Sequence, residues 1–216
     1  MSHLATSFLA VVVGLLPIVN PLGGAPIFLR LTEGASEPMR ATLARRVAVN
    51  GLVLLVASLF IGSYVLAFFG LTVAAVQVAG GLVVIAYGWR MLHQGAAAGT
   101  PEREAAAPPE IVLTRAFFPL TMPLTVGPGS ISVAITLGTK ATFSKEFLFD
   151  AAGALLGALA IAASIYLCYR FAARVLGLLG RSGTDVLLRL SAFILLCLGV
   201  QILWNGYLAL TAAPPL

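Results

Sequence analysis

The sequence predicts an all-α membrane protein of six transmembrane helices, built as two inverted three-helix repeats whose first and fourth helices are broken. Three observations carry this. The 216 residues are 60% hydrophobic and only 10% charged, against about 25% charged in a soluble domain, so too little polar surface exists to coat a globule. Mean hydropathy is +1.02, and the apolar residues gather into six runs long enough to cross a bilayer, which takes about 20 residues each. Two of those runs carry proline and glycine in corresponding places of the two halves. Within hydrocarbon such a break is tolerated only where protein or a cavity meets the freed backbone groups, and paired breaks point to a transporter's binding site.

The six runs are 5–29, 47–69, 71–92, 117–137, 147–169 and 190–210. The second and third meet at Gly70 with almost no loop, so a tight helical hairpin is expected. Residues 94–115, rich in Ala, Gly, Pro and Glu, read as a flexible linker between a first repeat, 1–93, and a second, 116–216. Arg30, Arg40, Arg45 and Arg46 fall between runs one and two. Arg90, Arg103 and Arg115 follow run three, and Arg170, Arg174, Arg181 and Arg189 lie between runs five and six. Only Lys140 and Lys145 fall on the opposite face. Eleven of the thirteen basic residues thus share one face, which the positive-inside rule makes cytoplasmic. Both termini are then expected outside. Gly88, Leu92 and Gly95 align with Gly199, Leu203 and Gly206. A three-span unit that repeats must return inverted, as in many secondary transporters.

The first break is Asn20-Pro21-Leu22-Gly23-Gly24-Ala25-Pro26. Prolines remove amide donors, and glycines admit unusual dihedrals. The helix is expected to stop near Pro17–Val19 and restart near Gly24. The second break is Pro123-Leu124-Thr125-Val126-Gly127-Pro128-Gly129-Ser130, with Ser130 expected as N-cap. In an inverted repeat the two restarted half-helices bring their N-termini together near mid-bilayer. Each N-terminus carries about half a positive charge and unpaired N–H groups, a site for a carboxylate or other small anion. Carbonyls left at 17–19 and 124–126, with the Asn20 and Thr125 side chains, suit an ammonium group or cation. The expected binding residues are Asn20, Pro21, Gly23, Gly24, Thr125, Gly127, Pro128, Gly129 and Ser130. The bland alternative is a pair of kinked helices that pack tightly.

Other residues rank lower. Asn50, Ser58, Ser63 and Gln77 either line a path or bond to neighbouring helices. Gly153-x-x-x-Gly157, with Ala154 and Ala158, reads as a packing face, and Trp89 and Trp204 as interfacial anchors. Cys168 and Cys197 show no metal or redox spacing. His3 and His93 lie near run ends, without a ligand set. No catalytic residue, metal site or Walker A sequence is present, so no enzyme, cofactor or ATP hydrolysis is expected. The dispersed basic residues carry no nucleic-acid signature. No Asp, Glu, Lys or Arg lies deep in a run, which leaves a proton or sodium ion equally open as coupling ion.

Pro17-Ile-Val-Asn20-Pro21-Leu-Gly23-Gly24-Ala-Pro26-Ile-Phe28 and Pro119-Leu-Thr-Met-Pro123-Leu-Thr-Val-Gly127-Pro128-Gly129-Ser130-Ile resemble the hallmark segments of the MarC family of bacterial inner-membrane proteins. That family is also called the neutral amino acid transporter family and is grouped with LysE-type exporters. The resemblance spans essentially the whole chain, and its motif falls on Asn20, Pro21, Gly23, Gly127, Pro128 and Gly129. Gly24 makes the first break richer in glycine than the family pattern. The resemblance implies a multi-pass inner-membrane carrier of small neutral amino acids such as glycine or alanine, and in such a membrane the arginine count puts both termini in the periplasm and the linker in the cytoplasm. It leaves room for a homo-oligomer. The expected function is alternating-access transport between the two breaks. The alternatives are a membrane protein handling lipid phosphate or another small anion, and a non-transporting scaffold.

Overall fold

A backbone in hydrocarbon has no water to bond, so it must close its hydrogen bonds within itself. The computed structural model, which describes residues 3–94, 116–142 and 146–212, meets that demand with helices. In chain order they are α1 (His3–Val19), α2 (Pro21–Leu31), α3 (Glu37–Phe60), α4 (Gly62–Phe68), α5 (Val73–Gln94), α6 (Ala116–Thr125), α7 (Pro128–Thr142), α8 (Phe147–Arg170) and α9 (Ala172–Ala212). The described residues contain no strand. By length and composition α3, α5, α8 and most of α9 each suffice to cross a membrane. The count rises to six if α1 with α2, bent by 40°, and α6 with α7, bent by 69°, each form one span. The expected linker lies outside the described residues beyond Gln94.

Helices in lipid gain no hydrophobic energy by associating, so close packing of small residues must hold them. Gly153 and Gly157 do this for α8, as the sequence indicates. A Cβ at Gly157 would stand 2.7 Å from that of Val11 on α1, and one at Gly153 would meet the Leu4 carbonyl. Gly81 does it for α5, where a Cβ would lie 2.6 Å from the Leu203 nitrogen of α9. Gly138 of α7 backs onto the Leu59 carbonyl of α3. Helix α3 thereby sits centrally, against α6, α7 and α8. The core beneath these contacts includes the fully buried Leu15, Leu43, Leu55, Ile161 and Ile165.

Four expectations need correction. The helical hairpin at Gly70 does not form: with φ of 67° at Gly70, the chain swings away and α5 packs chiefly on α9 and α7. Residues 172–189 are helical rather than loop, and α9 bends at Gly180 (φ 64°, ψ −175°). The glycines at 177, 180 and 183 give this stretch the look of a loop in the sequence. The loop after α2 is short, because Ser36 Oγ accepts the Met39 N–H at 3.4 Å and α3 begins at Glu37. Arg40, Arg45 and Arg46 therefore lie on a helix. Finally, the first span restarts at Pro21, earlier than Gly24.

Candidate functional site

The joint between α1 and α2 is a single residue. Asn20 takes φ 46°, ψ 59°, a left-handed conformation that asparagine tolerates better than most residues. Pro21 follows at the first helical position, where its missing N–H costs least. The Pro21 nitrogen leaves the Pro17 carbonyl without its usual donor. Asn20 Oδ1 accepts the Gly23 N–H at 3.1 Å, and the Asn20 carbonyl accepts that of Gly24 at 2.9 Å. A Cβ at Gly23 would run into the Asn20 amide, so this cap needs glycine there. The N-terminus of α2 is thus capped from within. Asn20, expected to meet a solute, spends its side-chain oxygen on its own helix.

The second joint is built differently. Phe118-Pro119-Leu120-Thr121 and Met122-Pro123-Leu124-Thr125 form a tandem tetrapeptide. Both X–Pro bonds are cis, and α6 is interrupted by extended backbone at Phe118 and Met122. Prolines strip amide donors from this stretch, and threonine hydroxyls take their place. Thr121 Oγ1 donates to the Ala116 carbonyl and Thr125 Oγ1 to the Leu120 carbonyl, both at 2.7 Å. The Val126 N–H donates to the Thr121 carbonyl at 2.8 Å. Gly127 then turns the chain, and α7 starts at Pro128. Ser130 is not the N-cap: it lies three residues beyond Gly127 and its hydroxyl donates to the Gly127 carbonyl at 2.9 Å. The Gly129 and Ser130 amides lack an intrahelical acceptor, as at any helix start.

The two broken spans lie side by side. Helix α1 packs on α7 and α2 packs on α6, so the spans run antiparallel with their breaks at one level. A residue from a third span joins them there. Tyr169, at the end of α8, is fully buried. Its hydroxyl lies 2.8 Å from Thr125 Oγ1, and its ring stacks on Phe28 of α2 at 4.5 Å between centroids. A Cβ at Gly24 would come within 2.6 Å of the same hydroxyl. From α3, Asn50 Nδ2 reaches toward Thr121 Oγ1 at 3.5 Å. Two uncharged hydrogen-bonded pairs therefore stand beside the breaks: Tyr169 with Thr125, packed against Gly24, and Asn50 with Thr121.

Not every expected residue comes to these pairs. Pro21 is buried in the first turn of α2 and Pro128 is exposed. Gly127 is half-buried, and a Cβ there would lie 3.1 Å from the Pro123 carbonyl. Gly129 faces α5, where a Cβ would strike the Val84 side chain. On the same face Ser132 Oγ donates to the Val76 carbonyl, and Gln77 Nε2 donates to Thr136 Oγ1, both at 3.0 Å. Ser58 bonds its own helix at the Leu54 carbonyl. Gly129→Ala is accordingly expected to lower the melting temperature in detergent through overpacking of about 1–3 kcal/mol. Adding Val84→Ala is expected to restore most of it. No recovery in the double variant would show that Gly129 is not held by Val84.

Sequence reasoning missed Tyr169 and Thr121. A tyrosine next to Arg170 at the end of an apolar run looks like an interfacial anchor. Thr121 was legible through the repeated Pro-Leu-Thr, since its twin Thr125 was already singled out.

Comparison with known families gives a match to the MarC family integral membrane protein over residues 5–211. The UPF0056 inner membrane protein MarC of Salmonella typhimurium (strain LT2) is 31% identical over 203 residues, covering 90% of each chain. Its counterpart in Escherichia coli (strain UTI89) is 31% identical over 202 residues, with the same coverage. No solved structure matches.

Proposed function

The chain belongs to the MarC family of integral membrane proteins, and from that premise we propose that it is a secondary carrier of small neutral solutes. Neutral amino acids such as glycine or alanine fit it best. The observation that carries this reading is the meeting of two broken spans at one level, with the two uncharged polar pairs beside the breaks. No Asp, Glu, Lys or Arg occurs in residues 4–29 or 116–139. Such a lining offers hydroxyls, amides and helix-end dipoles, which match a zwitterion of no net charge. The first turn of α7 supplies amides toward a carboxylate. The Pro17 carbonyl, left without a donor by Pro21, supplies an acceptor toward an ammonium group.

Alternating access by inverted repeats is supported by the helix pairings. Exchanging spans one to three with four to six carries the α2–α8 contact onto α7–α3, and α5–α7 onto α9–α2. It also holds in detail. A Cβ at Gly88 would lie 3.0 Å from the Leu196 nitrogen and 3.1 Å from the Ala192 carbonyl. Shifted by the 111 residues that relate Gly88 to Gly199, the partners become Ile85 and Gly81. A Cβ at Gly199 would lie 2.7 Å from the Ile85 nitrogen and 3.0 Å from the Gly81 carbonyl. Arginine placement supports a cytoplasmic face for the 30–46 and 170–189 segments and a periplasmic face for both termini.

The test is uptake of labelled alanine into proteoliposomes under imposed proton or sodium gradients, and by counterflow without either. Saturable accumulation in any arm is expected, with the effective gradient naming the coupling ion. Flat traces in all arms, for glycine as well as alanine, would remove this reading.

A further inference from the structure

Helix α9 bends at Gly180, and residues on both sides of the bend line a half-open groove of about 230 Å³ with the first half of α2 and the end of α8. Leu22 and Ala25 come from α2, Cys168 and Phe171 from the end of α8 and just past it, and Leu176 and Leu187 from the two sides of the bend. The lining is apolar, so whatever part of a ligand enters it is hydrocarbon. The volume is below the roughly 300–1,000 Å³ of drug-sized pockets and suits a length of chain rather than a compact molecule. Two guanidinium groups flank one lining residue, Phe171. The Arg170 and Arg174 guanidinium carbons lie 5.8 Å and 5.7 Å from the centroid of the Phe171 ring that lines the groove. Arg170 also meets Glu37 at 3.3 Å, whereas Arg174 has no carboxylate partner among the described residues.

We propose that this groove is a binding site for an anionic phospholipid, with one acyl chain between α2, α8 and the elbow of α9 and the phosphate held by Arg170 and Arg174. A zwitterionic lipid returns a positive headgroup to the arginines. An anionic one does not, and gains about 1 kcal/mol per basic residue near the surface. Since α2 is the restarted half of the first broken span, the lipid tethers that half to α8 and α9. The proposal stands apart from the transport reading, because it uses neither the polar pairs nor solute.

Cys168 reports on the groove directly. In a Cys197→Ser background it is the remaining thiol, and its maleimide labelling rate is to be followed in nanodiscs of phosphatidylglycerol or phosphatidylcholine. Several-fold slower labelling in phosphatidylglycerol is expected, and Arg170→Gln with Arg174→Gln is expected to abolish the difference. Leu176→Trp, which fills the groove, is expected to slow labelling in both lipids. Equal rates in the two lipids, or a difference that survives both arginine substitutions, would overturn the proposal.

Discussion

Tyr169→Ala is expected to destabilise the protein in detergent by about 3–5 kcal/mol and to end solute movement, while Tyr169→Phe keeps most of the stability. The two substitutions separate ring from hydroxyl. The ring is fully buried and stacked on Phe28. Alanine leaves a void beside Gly24 and Thr125. Dispersion contacts are the main cohesion between helices here, so their loss is not offset by solvent. Phenylalanine preserves them and removes one interhelical hydrogen bond, worth about 0.6 kcal/mol on average and up to about 1.7. Thr125 is not orphaned, because its hydroxyl still donates to the Leu120 carbonyl. Thermal unfolding of both variants, with uptake measured beside it, makes the check. Equal melting points for Tyr169→Ala and the parent would mean the side chain is not packed as described.

What the sequence makes legible divides by physical range. Helical class and the number of apolar runs follow from composition, since a bilayer imposes length and hydropathy on each segment separately. Both breaks follow from local chemistry, because Pro21, Pro123 and Pro128 lack a donor wherever they sit. Glycine faces such as Gly153 and Gly157 follow from spacing. Partner choice does not. Gly70 looks like a hairpin turn, yet α5 finds its glycine-matched surface on α9, more than a hundred residues away. Gly129 looks like a pocket glycine, yet Val84 decides its role. Asn20 looks like a ligand, yet its left-handed backbone makes it a cap. Tyr169 escapes notice because its position at a run's end is correct for an anchor; only the approach of α2 and α6 makes it central. For Gly70, Gly129 and Tyr169 the deciding neighbour is distant in sequence, and a single chain read alone carries no record of that distance.

The sharpest expectation concerns Gly24. Gly24→Ala puts a methyl group within 2.6 Å of the Tyr169 hydroxyl, closer than carbon and oxygen approach without one of them moving. Tyr169 cannot readily yield: Phe28 stacks on its ring and Thr125 holds its oxygen. Overpacking of this kind costs about 1–3 kcal/mol, partly offset by the better helix propensity of alanine, about 1 kcal/mol at an unconstrained site. The strain falls on the contact that joins the two broken spans, so uptake is expected to drop further than melting temperature. Deleting the offending atom should reverse this. In Gly24→Ala with Tyr169→Phe, the nearest remaining ring carbons stand 3.4 Å from the new methyl, an ordinary contact. The double variant is therefore expected to melt above Gly24→Ala alone, despite lacking the Thr125 hydrogen bond. A double variant that melts lower, with the two losses simply adding, would mean that Gly24 and Tyr169 do not meet, and that the two breaks are not joined through this side chain.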